Sequence, residues 1–288
     1  MTGWKAWLDV TPQDRPAREQ QLEPLAEDGF VVTSRELSRD GPWRIEVFGA
    51  GDRSKVEAAI DAAWGWETLP DIDWVAENQR SFRPFVVGPF WVHPSHAEEV
   101  VPRDSIPLEI DAGLAFGTGT HATTRGCLEI LAMLDAGQTA NAIDVGCGSG
   151  ILAIAMAKLW KRRVLGSDSD AQAVAVAREN ARLNGVDDLC GFVHASGLVM
   201  PAPTSQAPYD LIVANILAGP LLDLADSFSA AVRPGGRLLL SGILVEQAAH
   251  IVAVYARRGF AHERHVDLES GGASWRTLLL RRAEVEVS

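Results

Sequence analysis

The stretch Asn141–Leu152, N-A-I-D-V-G-C-G-S-G-I-L, constrains this chain more than any other. An apolar run that carries one acid, Asp144, leads into glycines at every second position: Gly146, Gly148 and Gly150. The apolar helical pattern of Ile151–Leu159 follows at once. Glycines so spaced permit positive φ and let the main chain approach another group closely. The stretch reads as strand, tight turn and helix. The helix start offers unpaired N–H groups and a positive dipole end.

Glycine spacing bears on the ligand. A dinucleotide site usually spaces its glycines G-x-G-x-x-G. Here the pattern is D-x-G-x-G-x-G, with the acid ahead of the first glycine. A carboxylate there does not suit a pyrophosphate; it suits a cation such as the ammonium of a methionine tail. The pattern resembles the first motif of the S-adenosylmethionine (AdoMet) methyltransferases with a Rossmann-like fold. The plain alternative is a generic glycine-rich turn in an α/β domain. A second acid, Asp168, ends the strand pattern V-L-G-S-D. It lies about 20 residues past the turn, where an acid hydrogen-bonds ribose hydroxyls. Asp170 reads as the N-cap of a helix over Ala171–Asn184.

A length of 288 residues suggests two domains. The expected division is a small domain over 1–68, a linker over 69–84 and a larger domain over 85–288. Hydrophobic residues at 47% and charged residues at 22% are ordinary for a soluble globular protein. No apolar run approaches the roughly 18–20 residues that span a bilayer, and the first residues lack a signal-peptide layout. The three cysteines are far apart, so neither a disulfide framework nor a zinc cluster is indicated. A cytoplasmic monomer is the expectation. The net charge of −12 argues against direct nucleic-acid contact and suits a basic protein substrate.

Taken in order, the first half reads as strand 3–10, helix 15–28, strands 30–37 and 43–48, and helix 53–64. This β-α-β-β-α order suggests a small ferredoxin-like sandwich. Gly65, Pro70 and Pro84 break the pattern, so 65–85 reads as linker, with a short helix around Trp74–Arg80. Phe85–Val92 and Ile106–Ile110 read as short strands. Asp111–Thr124 is a Gly- and Thr-rich loop, and Thr123 or Thr124 is expected to cap a helix over Arg125–Leu134. Strands and helices then alternate: a short strand at Phe192-Val193, a proline-rich loop over 201–208, strand 210–214, helix 220–232, strand 236–244, helix 246–257. A hairpin over 262–281 closes the chain. Such alternation means a mostly parallel sheet with helices on both faces.

Asn215 stands at the carboxyl end of its strand, in V-A-N-I-L-A-G-P-L. Ligands of open α/β sheets bind at those ends. A polar amide there can accept hydrogen bonds from an amine and aim its lone pair. The position resembles the Asn/Asp-Pro-Pro-aromatic motif of amino-group methyltransferases. Ile216-Leu217 replace Pro-Pro, so only Asn215 carries over. The alternative is an Asn that caps the strand-to-helix turn.

Three strings together resemble one family: F-G-T-G-T-H-A-T-T (Phe116–Thr124), D-V-G-C-G-S-G-I-L-A-I-A (Asp144–Ala155) and V-A-N-I-L-A-G-P-L (Val213–Leu221). The family is PrmA, the methyltransferases of the eleventh large-subunit ribosomal protein. The second string is shared with many methyltransferases; the first and third are specific. The resemblance implies a Rossmann-like seven-stranded AdoMet methyltransferase domain behind a small ferredoxin-like α+β domain. It implies AdoMet contacts from Thr124, Gly146, Asp168 and Asn215, with Asp144, Gly148, Gly150 and the loop residues Phe116, Gly117 and Thr118 beside them. It further implies methylation of lysine side chains and the N-terminal α-amine of a basic ribosomal protein held by the N-terminal domain.

The chemistry so implied is direct displacement, with Asn215 orienting the amine and no dedicated general base. Phe116 either faces the sulfonium or anchors the loop. His121 either touches the substrate or makes a loop hydrogen bond. The pairs His93/His96 and His262/His265 lack a third ligand, so no metal is expected. Rival readings are an AdoMet enzyme for another acceptor, such as a flavoprotein subunit or a small amine, a nicotinamide-dependent oxidoreductase, and an assembly factor that uses AdoMet only structurally. A small-amine enzyme would not need the N-terminal domain. The glycine spacing and the lack of a Tyr-Lys or His pair oppose the oxidoreductase.

Overall fold

The computed structural model describes residues 3–27, 30–38, 41–60, 63–69, 83–111, 121–135, 137, 139–198 and 206–284. These divide into two compact units, split between residues 74 and 75. Most of the expected linker, including the helix around Trp74–Arg80, lies outside the described residues, as does most of the proline-rich loop 201–208.

In the first unit, strand β1 (Gly3–Val10) is followed by helix α1 (Arg15–Glu27), strands β2 (Val31–Glu36) and β3 (Trp43–Ala50), helix α2 (Ser54–Ala59) and strand β4 (Gly65–Thr68). The sheet order is β2-β3-β1-β4, and every pairing is antiparallel. That is a ferredoxin-like sandwich. Trp4, Ala6 and Val10 alternate on β1 and are buried with Ile45, Val47, Leu22, Leu25 and Val56. Two expectations change here. The second helix is short and ends at Ala59, and Gly65–Thr68 is a strand where a linker was expected. G-W-E-T carries no period of its own. Pairing with the free edge of β1, Trp4 opposite Thr68 and Trp7 opposite Gly65, makes it a strand.

The second unit opens with a three-stranded sheet, β5 (Phe85–Val87), β6 (Phe90–His93) and β7 (Ile106–Glu109). Phe85–Val92 was expected as one strand. It is a hairpin, because Gly88 and Pro89 turn the chain so that Val87 pairs with Phe90. Helix α3 (Ala122–Leu131) leads to the large sheet: β8 (Ala142–Val145), α4 (Ile151–Trp160), β9 (Val164–Asp168), α5 (Ala171–Leu183), β10 (Cys190–His194) and β11 (Tyr209–Asn215). Then come α6 (Ala218–Asp223), α7 (Ala225–Ala231), β12 (Val232–Leu244), α8 (Val245–Ala256), β13 (Phe260–Ser270) and β14 (Ala273–Arg282). The helix expected over 220–232 is two short ones joined at Leu224.

The sheet order is β10-β9-β8-β11-β12-β14-β13, in which β14 alone runs opposite to the other six strands. Both faces are covered, so β8 and β11 are apolar nearly throughout. Leu211 and Val213 of β11 pack with α4 and α5, whereas Ile212 and Ala214 pack with the side that holds Phe228 and Ile251. From β8 the chain winds through β9 and β10 to one side. It then returns to β11 and β12 on the other. The switch point between β8 and β11 opens a crevice at their carboxyl ends, and the register Val145 opposite Ala214 brings Gly146 and Asn215 to it. No described helix is long and apolar enough to cross a membrane.

Candidate functional site

The glycine turn is built as its spacing requires. Gly146, Gly148 and Gly150 have φ of +72°, +52° and +80°, where a side chain is strained. Most of its donors are used within the protein. Gly146 and Cys147 N–H donate to the Ser167 carbonyl at 2.8 and 3.0 Å, and Gly150 N–H donates to Cys147 O at 2.8 Å. The turn therefore offers a close main-chain surface more than a set of free donors. In the first turn of α4, Ala153 N–H donates to Asp144 Oδ2 at 3.2 Å, so one of the N–H groups at the helix start is taken up by the acid ahead of the turn.

Asp144 is 1% exposed, since β8 is covered on both faces. Burial pushes its carboxyl from an ordinary 3.8 up to about 7; the Ala153 hydrogen bond opposes the rise and the nearby Asp168 charge adds to it. Its second oxygen, Oδ1, is buried with no hydrogen-bond partner among the described residues.

Asp168 ends β9 and is already engaged within the protein. Its Oδ2 accepts Gly148 N–H at 2.8 Å and its Oδ1 accepts Asp170 N–H at 2.9 Å, so the carboxylate ties the glycine turn to the next strand. A carboxylate has about four lone-pair sites, which leaves two for hydroxyls. Asp170 caps α5, accepting Gln172 N–H at 2.8 Å, as its position predicts. Replacing Asp168 with alanine removes the brace together with the acceptor expected for ribose hydroxyls. The expected result in calorimetry is AdoMet affinity weaker by about tenfold or more, and unchanged affinity would remove the ribose assignment.

Across the switch point, Asn215 Nδ2 donates to Thr124 Oγ1 at 3.3 Å, and Asn215 Oδ1 is buried without a partner among the described residues. Thr124 lies in the first turn of α3. The cap of that helix is His121 rather than Thr123 or Thr124: its Nδ1 accepts Thr123 N–H at 3.4 Å and lies 2.9 Å from Thr123 Oγ1. His121 thus makes the loop hydrogen bond. Burial lowers its pKa, and its ring meets Trp275 edge-on at 4.8 Å between centroids.

These groups line one cavity of about 630 Å³, within the range of small-molecule sites. Thr124, Asp144, Gly146, Gly148, Asp168 and Asn215 all border it. Gly150 does not; it stands behind the turn as the cap of α4, against Ala177 and Phe192. Phe116, Gly117 and Thr118 lie outside the described residues. Sequence reasoning missed Trp275, Ile216, Leu217 and Gly242, which also line the cavity. No local pattern marks them, because the sheet order delivers them from two distant strands and a turn. Among the described residues no three His, Cys, Asp or Glu side chains gather as a metal site, and the three cysteines are buried and free.

A doubly wound sheet with one antiparallel strand, and an acid-led glycine turn at its switch point, are those of a Rossmann-like methyltransferase. Residues 50–282 match the family model described as ribosomal protein L11 methyltransferase (PrmA). A ribosomal protein L11 methyltransferase of Brucella abortus (strain S19) is 42% identical over 258 residues, covering 87% of this chain and 90% of its own. That of Rhodopseudomonas palustris (strain BisB5) is 41% identical over 283 residues, 93% of this chain and 95% of its own. The crystal structure of a ribosomal protein L11 methylase from Lactobacillus delbrueckii subsp. bulgaricus superposes with a TM-score of 0.60 at 31% identity, covering 70% of this chain and all of that one. The chain belongs to the ribosomal protein L11 methyltransferase family, and is by that membership a protein methyltransferase.

Proposed function

We propose that this chain moves methyl groups from AdoMet to lysine side chains and to the N-terminal α-amine of the eleventh large-subunit ribosomal protein. Family membership supports the acceptor protein. The observation that carries the chemistry is a pair of orphaned acceptors bordering one cavity, Asp144 Oδ1 and Asn215 Oδ1. Each buried unpaired acceptor costs about 1–3 kcal/mol. An ammonium at the first and a reacting amine at the second relieve both costs.

The residues present fit AdoMet. Asp144 would take its ammonium, the glycine turn its methionine backbone, and the spare lone pairs of Asp168 its ribose. Thr124 would hold the amide of Asn215, and the family resemblance adds Phe116, Gly117 and Thr118 to the AdoMet contacts. When bound, AdoMet supplies a methyl group already activated by its sulfonium. The protein's share is to desolvate the amine, which favours its neutral form, and to align it through Asn215 Oδ1. Good alignment is worth about 7–11 kcal/mol. Residues 1–68 would grip the substrate, with 69–84 as linker and 85–288 as the catalytic domain. The net charge of −12 supports a basic protein partner and opposes nucleic acid.

The test is methyl transfer from labelled AdoMet to that ribosomal protein, purified from cells lacking the enzyme, with mass spectrometry of the product. Label on neither lysine nor the α-amine overturns the reading. The two amine types should also differ in pH dependence, since only the neutral amine reacts. The α-amine rate should level off above a pH of about 8, whereas the lysine rate should climb about tenfold per unit toward a pH of about 10. Superimposable profiles would show that the site, and not the amine, sets the protonation state.

A further inference from the structure

We infer that Ser241 and Gly242, a β-bulge on the strand beside Asn215, are positioning residues that aim its amide; this rests on the reading of Asn215 as the group that orients the amine. β11 and β12 run parallel, with Asn215 opposite Ser241. On its other edge β12 pairs with β14, Leu240 opposite Leu278 and Ile243 opposite Arg276. Ser241 and Gly242 together therefore face Thr277 alone. A bulge of this kind bends its strand and re-aims what lies beside it.

Gly242 acts on the main chain. Its φ is +82°, and a Cβ placed on it would lie 2.2 Å from the Ile216 carbonyl oxygen and 2.7 Å from the carbonyl carbon. The strand thus abuts the Ile216 carbonyl, one residue past Asn215, at a distance only glycine allows. The Ile216 side chain is held as well, because its Cγ2 would lie 2.4 Å from a Cβ on Gly146. Between them, Gly242 and Gly146 fix the residue after Asn215 by its carbonyl and by its side chain.

Ser241 acts on the side chain. It is fully buried, and its Oγ donates to the Thr123 carbonyl at 3.1 Å and shares a 2.7 Å hydrogen bond with Thr277 Oγ1. The next residue, Thr124, accepts Asn215 Nδ2. One bulge therefore touches both supports of the amide, the backbone it grows from and the helix turn that receives its Nδ2.

A double-mutant cycle tests this, with turnover read on the eleventh large-subunit ribosomal protein and AdoMet affinity read by calorimetry. Gly242→Ala in the parent chain should lower kcat on the order of 100-fold, with a smaller change in AdoMet affinity. In the Asn215→Ala background the same substitution should lower kcat by no more than about twofold, the limit of additivity error. Ser241→Ala carries the same cycle with a smaller steric change, about tenfold in the parent, and decides the matter if Gly242→Ala does not fold. Equal losses in the two backgrounds overturn the positioning role and leave the Asn215 reading intact. Full turnover by Asn215→Ala alone overturns that reading and this inference with it.

Discussion

Replacement of Asn215 by alanine is expected to lower turnover on the order of 100-fold or more, while AdoMet affinity falls by about tenfold at most. The asymmetry follows from the two ends of the amide. Nδ2 is already engaged, donating to Thr124 Oγ1 at 3.3 Å, so its loss perturbs the wall of the cavity. Oδ1 is buried and unpaired among the described residues. Its proposed partner exists only when an amine arrives. Removing it spares the donor and deprives the acceptor of its guide, which lowers kcat more than binding. Single-turnover methyl transfer with saturating AdoMet measures the first quantity and calorimetry the second. Normal turnover would remove the orienting role.

The second large effect is expected at Asp144, and it changes sign with the ligand. The folded pKa stands near 7, above the ordinary 3.8, chiefly because of burial. The folded state therefore holds a proton that the unfolded state has lost. Its relative stability is fully present below a pH of about 4 and is lost as pH rises through about 7. The whole difference is worth about 4 kcal/mol at most. Asp144→Asn cannot ionise, so its stability advantage over the parent should grow between pH 5 and pH 8 in denaturant titrations without ligand. A difference equal at both pH values would sink the assignment.

Binding reverses the balance. An ammonium paired with Asp144 needs the carboxylate, so AdoMet affinity should rise as pH climbs toward 7. It should fall again above a pH of about 8, where an α-amine loses its charge. In Asp144→Asn the rising limb should vanish and binding should weaken at neutral pH. The same substitution thus stabilises the empty fold and impairs the loaded one, a conflict common where a site stores an uncompensated charge.

The parts of the fold that were legible in the sequence are those whose signal is local. The turn at Gly146–Gly150 was readable because alternating glycines before an apolar helical run have few other uses. The strand ending at Asp168 was readable from V-L-G-S-D, and Asp170 from its place ahead of a helix, where it does cap α5. The closing hairpin across Gly271-Gly272 was readable from its paired glycines, and β13 and β14 do pair there.

Other features were misread because a neighbour decides them. G-W-E-T at 65–68 is a strand only because β1 has an open edge. His121 caps α3, although Thr123 and Thr124 are the residue types expected to do so. Both threonines face inward instead, buried and engaged with Ser241, His121 and Asn215. The bracing of Gly148 by Asp168 could not be read from spacing, because it depends on how two parallel strands are staggered.

By itself the sequence determined the secondary-structure alternation, the glycine turn and the polar residues at strand ends, since backbone preference and side-chain period act over a few residues. Only the tertiary structure decided that Thr124, Gly146, Asp168, Asn215, Gly242 and Trp275 border one cavity. Strand order and register are settled by long-range pairing and burial, and no short stretch carries that information. The charge state of Asp144 belongs to the same class. An aspartate is an ordinary acid until a sheet covers it on both faces and leaves one of its oxygens with nothing to accept.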